Sequence, residues 1–269
     1  MGRGGRRPMH DTEGRTALGR VALVCLSLSA PVWGQATEVI GPEWFQANLL
    51  FRHGFADGAD QPTVVAEGLA MGVTGDAAVV PRGWMGPALL TDGAGRLQLT
   101  GEALSPCRPL TLSFWWALPR DLAIDGGFGL FEIHGKGFVG QFCRGKGEWC
   151  ALQRPAGVFQ VYYFDGIQNV NGIYDFDLMA TLDLRADAWH HTAVVFRQAS
   201  RIEAYTDGRL VFDTTTAGRA FRPDDGLTTL VLGGGILLDE VAILKRAVAG
   251  DMIADYYRGA RQARQYLAE

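Results

Sequence analysis

The sequence predicts an all-β fold in which two antiparallel sheets pack as a sandwich and a short helix follows at the C-terminus. From Asn48 onward, short β-branched and aromatic runs are separated by Gly, Asp and Pro at the spacing typical of a β-sandwich. Asp207-Gly208 supplies the two residues with positive φ that a type I′ hairpin requires. Helical spacing of apolar residues occurs only after Asp251, within residues 252–257.

The elements follow in order from these signals. Leu49-Leu50-Phe51 begins the first strand, which ends in the turn Ala56-Asp57-Gly58. Residues 59–80 are rich in Gly and Ala, which predicts a long loop. Further strands are predicted in segments 86–93, 97–99, 110–117, 128–133, 158–163 and 202–205.

The strand over residues 110–117 separates its side chains into two sets by alternation. Alternation places one set of side chains on one face, namely Leu110, Leu112, Phe114 and Trp116. The other face carries Thr111, Ser113 and Trp115.

The N-terminus has the pattern of a secretory signal peptide over residues 1–36. Five arginines precede the apolar run 21–30, and the small residues of segment 34–36 resemble a cleavage site. The run is too short to span a membrane, which takes about 20 apolar residues. We therefore expect a secreted or periplasmic protein without stable membrane insertion, with Met1 or Met9 as its start.

The net charge of the exported chain argues against a nucleic-acid partner. The chain carries 25 basic and 29 acidic residues, and its first 36 residues hold five of the former and two of the latter. The exported protein then has a net charge of −7 and no basic cluster, so a nucleic-acid partner is not expected. Its length suits one sandwich domain over 48–260, preceded by a segment over 37–47 and followed by a helical tail over 261–269.

Four segments in the second half carry a family resemblance. They are Trp189-His190-His191-Thr192-Ala193, Tyr205-Thr206-Asp207-Gly208, Leu230-Val231-Leu232-Gly233 and Leu238-Asp239-Glu240-Val241. In order and spacing they resemble laminin-G-like domains of the concanavalin A-like superfamily, which implies a jelly-roll sandwich from Asn48 to Tyr257. Because that fold hosts both sugar-binding modules and sugar-cleaving enzymes, the resemblance alone does not select a function.

Catalysis would require two carboxylates. Sugar hydrolases on this fold carry Glu-x-Asp-x-x-Glu or a close variant on one strand, and this chain has no such motif. Asp175 and Asp177 share a face at about 6–7 Å, near the inverting range of about 6.5–9.5 Å. A solvated pair at a strand edge is the alternative interpretation.

The resemblance also implies a possible calcium site between an early loop and the last strands. Calcium takes oxygen ligands, which Asp57, Asp60 and Asp239 could supply. The alternatives are turn chemistry for Asp57 and a capping hydrogen bond for Asp239. No cofactor is otherwise required, and His190 and His191 cannot jointly chelate a metal because neighbouring strand residues point to opposite faces.

Aromatic residues are the remaining functional signal. Sugar rings stack on exposed aromatic faces, and the candidates are Trp149, Tyr163 and Tyr174. Trp149 is the best of them because glycines and charged residues flank it in a turn. Core packing is the alternative role for most aromatic side chains.

The exported protein keeps three cysteines. If segment 141–150 forms a hairpin that turns at Lys146-Gly147, Cys143 lies opposite Cys150 at about 5.5 Å, within disulfide range. Export to an oxidising compartment favours such a bond. Cys107 is left without a partner.

The sequence thus favours an exported, non-catalytic binding module for a glycan or an extracellular protein. A glycoside hydrolase using Asp175 and Asp177 is one alternative. A purely structural adhesion domain is the other.

Overall fold

Two antiparallel β-sheets account for most of the residues that the computed structural model describes. The described residues are 42–91, 93–105, 108–119, 126–134, 138–144, 158–163, 178–181, 188–197, 201–213 and 228–268. They belong to one compact unit that runs from Thr37 to Glu269. The predicted fold class, an all-β two-sheet sandwich with a C-terminal helix, is confirmed.

In chain order the strands are β1 (Leu49–His53), β2 (Val64–Val65), β3 (Ala70–Thr74), β4 (Ala77–Val80), β5 (Ala88–Thr91), β6 (Arg96–Gly101), β7 (Leu110–Ala117), β8 (Gly126–His134), β9 (Phe138–Arg144), β10 (Val158–Tyr163), β11 (Leu178–Thr181), β12 (Trp189–Arg197), β13 (Arg201–Thr206), β14 (Arg209–Asp213), β15 (Thr228–Leu232) and β16 (Ile236–Leu244). The α-helices are α1 (Glu43–Gln46) and α2 (Gly250–Ala268), and a 3-10 turn covers Glu102–Leu104.

The first sheet contains nine of these strands, in the order β14-β13-β12-β7-β16-β1-β2, with β5 pairing to β16 and β4 to β5. The second contains seven, in the order β11-β10-β9-β8-β15-β6-β3. Strand neighbours far apart in sequence, such as β7 and β16, show that the sheets are assembled by long-range pairing.

The main hydrophobic core lies between the two sheets. The inward residues of β7, among them Leu112, Phe114 and Trp116, are fully buried there. Phe114 meets Phe131 of the second sheet edge to face, with ring centroids 6.3 Å apart. The predicted alternation along β7 is confirmed, and all eight of its residues are buried.

Helix α2 packs on the outer face of the first sheet, which explains why the outward residues of β7 are buried as well. Ile253 of the helix packs with Val195 of β12 and Tyr205 of β13. Further along the helix, Ala260 packs with Trp115 of β7. The helix has 19 residues and continues past residue 260, where the sequence placed the start of a separate tail.

The Asp207-Gly208 turn has the predicted conformation, with φ values of 51° and 74°. The Asp207 carboxylate accepts a hydrogen bond from the backbone N–H of His191 at 2.9 Å and meets the His190 ring at 2.8 Å. The two histidines lie on opposite faces, because His190 contacts Trp116 and His191 contacts Trp115. This turn therefore also fixes the start of β12.

The prediction of a long loop over residues 59–80 is wrong. β2, β3 and β4 all lie in this segment. β3 pairs along its length with β6 at the edge of the second sheet, and its side chains alternate between exposed and half-buried. Ala and Gly give a weak local strand signal, so the pairing partner decides the conformation here.

Candidate binding surface beside the C-terminal helix

Most of the side chains that the sequence nominated lie outside the described residues. These are Trp149, Tyr174, Asp175, Asp177, Cys107 and Cys150. Tyr163 ends β10, where its backbone pairs with Phe138. Ligand contact at these aromatic residues stays a prediction.

The register around Cys143 differs from the hairpin that the sequence predicted. In the sheet, Cys143 lies opposite Val158 of β10 on one side and Gly127 of β8 on the other. Both ladder positions beside Cys143 are thus taken by residues of β8 and β10. The predicted hairpin placed the partner of β9 too early in the sequence, because the strand that pairs with β9 begins at Val158. The Cys143–Cys150 disulfide stays a prediction without that register to support it.

The three aspartates nominated for calcium do not form a side-chain cluster. Within the described ranges, no three His, Cys, Asp or Glu side chains come together to hold a metal ion. Asp57 and Asp60 lie near His53, whereas Asp239 faces the loop over residues 83–85. Calcium held partly by backbone oxygens stays a prediction.

Asp239 is fully buried and anchors that loop. Its Oδ2 accepts hydrogen bonds from the backbone N–H groups of Trp84 at 2.7 Å and Met85 at 3.0 Å. Its Oδ1 accepts from the N–H of Glu240 at 2.7 Å. Burial and the nearby Glu240 carboxylate raise the pKa of Asp239 to about 8, and the amide hydrogen bonds oppose that shift.

A β-bulge sets the position of Asp239. Between Asp239 and Ala242, β16 has one residue more than the facing part of β7. The extra residue is Glu240, with a φ of 47°, and its carboxylate pairs with Arg52 of β1 at 3.1 Å. The bulge lets Asp239 face α2 while Leu238 and Val241 both stay in the core.

The anchored loop places Trp84 against the outer face of β7. Trp84 stacks on Trp115 with ring centroids 3.7 Å apart and an interplanar angle of 8°. Arg264 of α2 lies over the Trp84 ring at 4.2 Å. Tyr257 of α2 also stacks on Trp115, with ring centroids 5.7 Å apart. Two tryptophans, a tyrosine and an arginine thus form a continuous stack between loop, sheet and helix.

The rim of this stack is open to solvent. Met85, Trp189 and Tyr257 pack on the buried members and are only partly buried themselves. Arg261 is exposed and lies over the Tyr257 ring at 5.8 Å. We call this surface the aromatic–arginine patch: Trp84, Met85, Trp189, Tyr257, Arg261 and Arg264.

The patch is electrostatically distinct from the rest of α2. Arg258 forms an ion pair with Asp255 one turn before. Among the described residues, no carboxylate lies within ion-pair distance of Arg261 or Arg264. Burial lowers the pKa of Arg264, the Asp239 carboxylate opposes this shift, and repulsion from Arg261 adds a smaller lowering. The two guanidinium groups are held by aromatic faces instead.

A serine and a histidine also meet beneath α2. Ser113 Oγ and His191 Nε2 share a hydrogen bond of 2.9 Å beside a cavity of about 10 Å³, room for one water molecule. Both side chains are buried, and burial lowers the pKa of His191 to about 4. Its Nδ1 has no hydrogen-bond partner in the described part of the chain, so no carboxylate orients the ring as in a catalytic triad. The pair packs the helix onto the sheet.

Part of the patch could have been found from the sequence. Tyr257, Arg261 and Arg264 are spaced i, i+4 and i+7, which places them on one face of a helix. Trp84 carries no such signal, because its position depends on Asp239, 155 residues later. The sequence-based search for exposed aromatic residues favoured Trp149 and missed this surface.

No helix in the described ranges is both long enough and apolar enough to span a membrane. No protein-family model matches the chain, and no curated protein matches it.

Solved structures do share its fold. The botulinum neurotoxin serotype D binding domain aligns with a TM-score of 0.59 at 12% identity, over 80% of this chain and 53% of that one. The binding domain of Paraclostridial Mosquitocidal Protein 1 aligns with a TM-score of 0.57 at 15% identity, over 80% and 53%. The receptor binding domain of the botulinum neurotoxin C/D mosaic serotype aligns with a TM-score of 0.58 at 13% identity, over 79% of this chain and 51% of that one. The chain thus spans about half of each, and at this identity the likeness establishes the fold.

Proposed function

We propose that this chain is an exported, non-catalytic binding module that holds a carbohydrate on the aromatic–arginine patch. The observation that carries the proposal is the stack itself. The side chains of Trp189 and Tyr257 are partly exposed. The Arg261 and Arg264 guanidinium groups lie over the Tyr257 and Trp84 rings and have no carboxylate partner in the described ranges. Aromatic faces match the apolar faces of sugar rings, and arginines donate hydrogen bonds to sugar oxygens.

Three further points support this proposal. The matching solved structures are described as binding domains. The resemblance to laminin-G-like domains implies a fold in which binding modules are common. The signal-peptide pattern over residues 1–36 implies a place outside the cytoplasm, where glycans and receptor proteins are met.

The described ionisable groups also favour binding over hydrolysis. Asp239 is occupied by three backbone N–H groups, and His191 is buried beneath α2. A glycosidase needs two carboxylates that face one sugar. Asp175 and Asp177 are the pair that the sequence nominates for that role, and the test below includes them.

The test is a glycan array probed with the protein, followed by titration of the best oligosaccharide. We expect Trp189→Ala to weaken binding tenfold or more, the loss of about 1.4 kcal/mol or more from one large apolar contact. Tyr266→Ala is the matched control, because Tyr266 is 79% exposed on the same helix and outside the patch. Thermal unfolding of each variant verifies the fold.

Two outcomes would overturn the proposal. Release of reducing sugar that Asp175→Asn or Asp177→Asn abolishes would identify a hydrolase. Absence of binding to every glycan would leave the adhesion-domain alternative. Repeating the titration with a chelator tests whether calcium contributes.

A further inference from the structure

The arginines of the patch differ from the third arginine on the same helix. Arg258 is paired with Asp255, and their side chains are 65% and 70% exposed. Arg261 donates to the Tyr257 hydroxyl at 3.1 Å, and Arg264 lies on the Trp84 ring. Hence Arg258 is paired with a carboxylate of its own helix, whereas Arg261 and Arg264 are held by aromatic rings and have no ion-pair partner among the described residues.

This arrangement has an electrostatic cost within the patch itself. Arg261 and Arg264 are one helical turn apart on the face of α2 that carries Tyr257, so their charges repel. The protein around them is acidic, with a net charge of −7 once residues 1–36 are removed. Nothing in the described ranges offsets the local repulsion except aromatic faces and the buried Asp239. An anion seated between the two arginines would offset it directly.

Guanidinium groups select particular anions. They present planar sets of N–H donors that match two oxygens of a carboxylate or a sulfate at once. Contact with the Trp84 ring restricts the Arg264 side chain before a ligand arrives, so less conformational entropy is lost when Arg264 binds an anion. The neighbouring Trp189 and Tyr257 side chains are partly exposed and offer apolar ring surface to a sugar.

We infer that the patch selects acidic sugars, with Arg261 and Arg264 binding a ring carboxylate or sulfate while Trp189 and Tyr257 contact the sugar ring. This inference rests on the proposed function and specifies the ligand of the same site. The binding step is non-covalent. The anion's source, a uronic acid or a sulfate ester, is distinguished by the test.

The test compares charged and neutral versions of one sugar. Titration calorimetry measures the affinity for oligogalacturonate against a neutral galactose oligomer of equal length, and for dextran sulfate against dextran. We expect the acidic member of at least one pair to bind ten times more tightly or better at low ionic strength. The preference should weaken as salt rises, because the arginines are near solvent.

Two variants with a matched control locate the effect. Arg261→Gln/Arg264→Gln should remove the preference for the acidic sugar and keep the residual affinity for the neutral one. Arg258→Gln removes a positive charge from the same helix and should retain the full preference. If the double variant unfolds at a lower temperature, Arg261→Gln alone is used, because Arg261 is exposed and its guanidinium group contacts the Tyr257 ring and hydroxyl near the surface.

The outcomes separate this inference from the proposed function. Equal affinity for acidic and neutral sugars would overturn the inference and leave the carbohydrate-binding function in place. No binding to any sugar would overturn both. Binding of polyglutamate as tightly as the acidic sugar would show that the patch accepts acidic peptides, which also overturns it. Loss of preference in Arg258→Gln would show a general charge effect instead of a site.

Discussion

Trp115 and Trp116 are neighbours on β7, and the two regions they enter differ in what holds them together. Trp116 points into the space between the sheets, where Leu112 and Phe114 surround it with apolar side chains. Trp115 points outward beneath α2, where it stacks between Trp84 and Tyr257. The interior is specified by the alternation of apolar residues. The outer region is specified by single long-range contacts such as that of Asp239 with the loop bearing Trp84.

The largest effect is expected in the interior. Phe114→Ala should lower the free energy of unfolding by about 3–5 kcal/mol, because the residue is fully buried and its removal leaves a cavity. Ser113→Ala, one position earlier on the outer face, should cost about 1 kcal/mol through its hydrogen bond with His191. Urea unfolding measures both. Equal losses of unfolding free energy in the two variants would show that the inward and outward faces of β7 contribute equally to stability.

The outer region should respond to acid through His191. Its folded pKa of about 4 is below the ordinary value of 6.5, so the unfolded chain binds the proton first as pH falls. Stability from the neutral ring is therefore full above pH 6.5 and is lost between pH 6.5 and 4, by about 3 kcal/mol.

His191→Gln isolates this effect from the other ionisable groups. We expect the difference in unfolding free energy between wild type and His191→Gln to shrink as pH falls from 6.5 to 4. Denaturant titrations at several pH values measure it. A difference that stays constant over this range would show that the histidine is not held neutral beneath α2.

A smaller effect is expected where the loop meets Asp239. The added Cβ of Gly83→Ala would lie 2.5 Å from the Gly86 carbonyl oxygen and 2.6 Å from Asp239 Oδ2. The loop must then shift, at a cost of about 1–3 kcal/mol, and Trp84 moves with it. Gly86→Ala is the matched control, since its Cβ would meet nothing within 4 Å.

Both glycine variants should also be titrated with sugar. Gly83→Ala should weaken binding because Trp84 supports Arg264, whereas Gly86→Ala should change stability by no more than about 1 kcal/mol and leave affinity intact. If the two variants bind equally well, the position of Trp84 does not matter for the patch.

Much of the fold was predictable because local signals and tertiary structure agree in it. The alternation over residues 110–117 and the Asp207-Gly208 turn are properties of a few neighbouring residues, and both are confirmed. β3 was missed because Gly and Ala form a strand there only when β6 pairs with them. The register at Cys143 failed for the same reason, since sheet partners are chosen over long distances.

The candidate site was less predictable. The spacing of Tyr257, Arg261 and Arg264 marks one helix face, but nothing in that spacing says which surface the face meets. The patch exists because Asp239, which lies opposite Trp115 just before the bulge at Glu240, binds the loop that carries Trp84. Neither a one-residue bulge in a strand nor a single buried carboxylate produces a periodic pattern in the sequence.

The most direct test of the proposed site is oxidative footprinting of the protein with and without its best-binding acidic sugar. Side-chain oxidation at Trp189 and Tyr257 should fall when the sugar is bound, while oxidation at the exposed Tyr266 should be unchanged. Protection confined to Trp149, Tyr163 or Tyr174, with Trp189 and Tyr257 oxidised as in the free protein, would contradict the aromatic–arginine patch as the binding site.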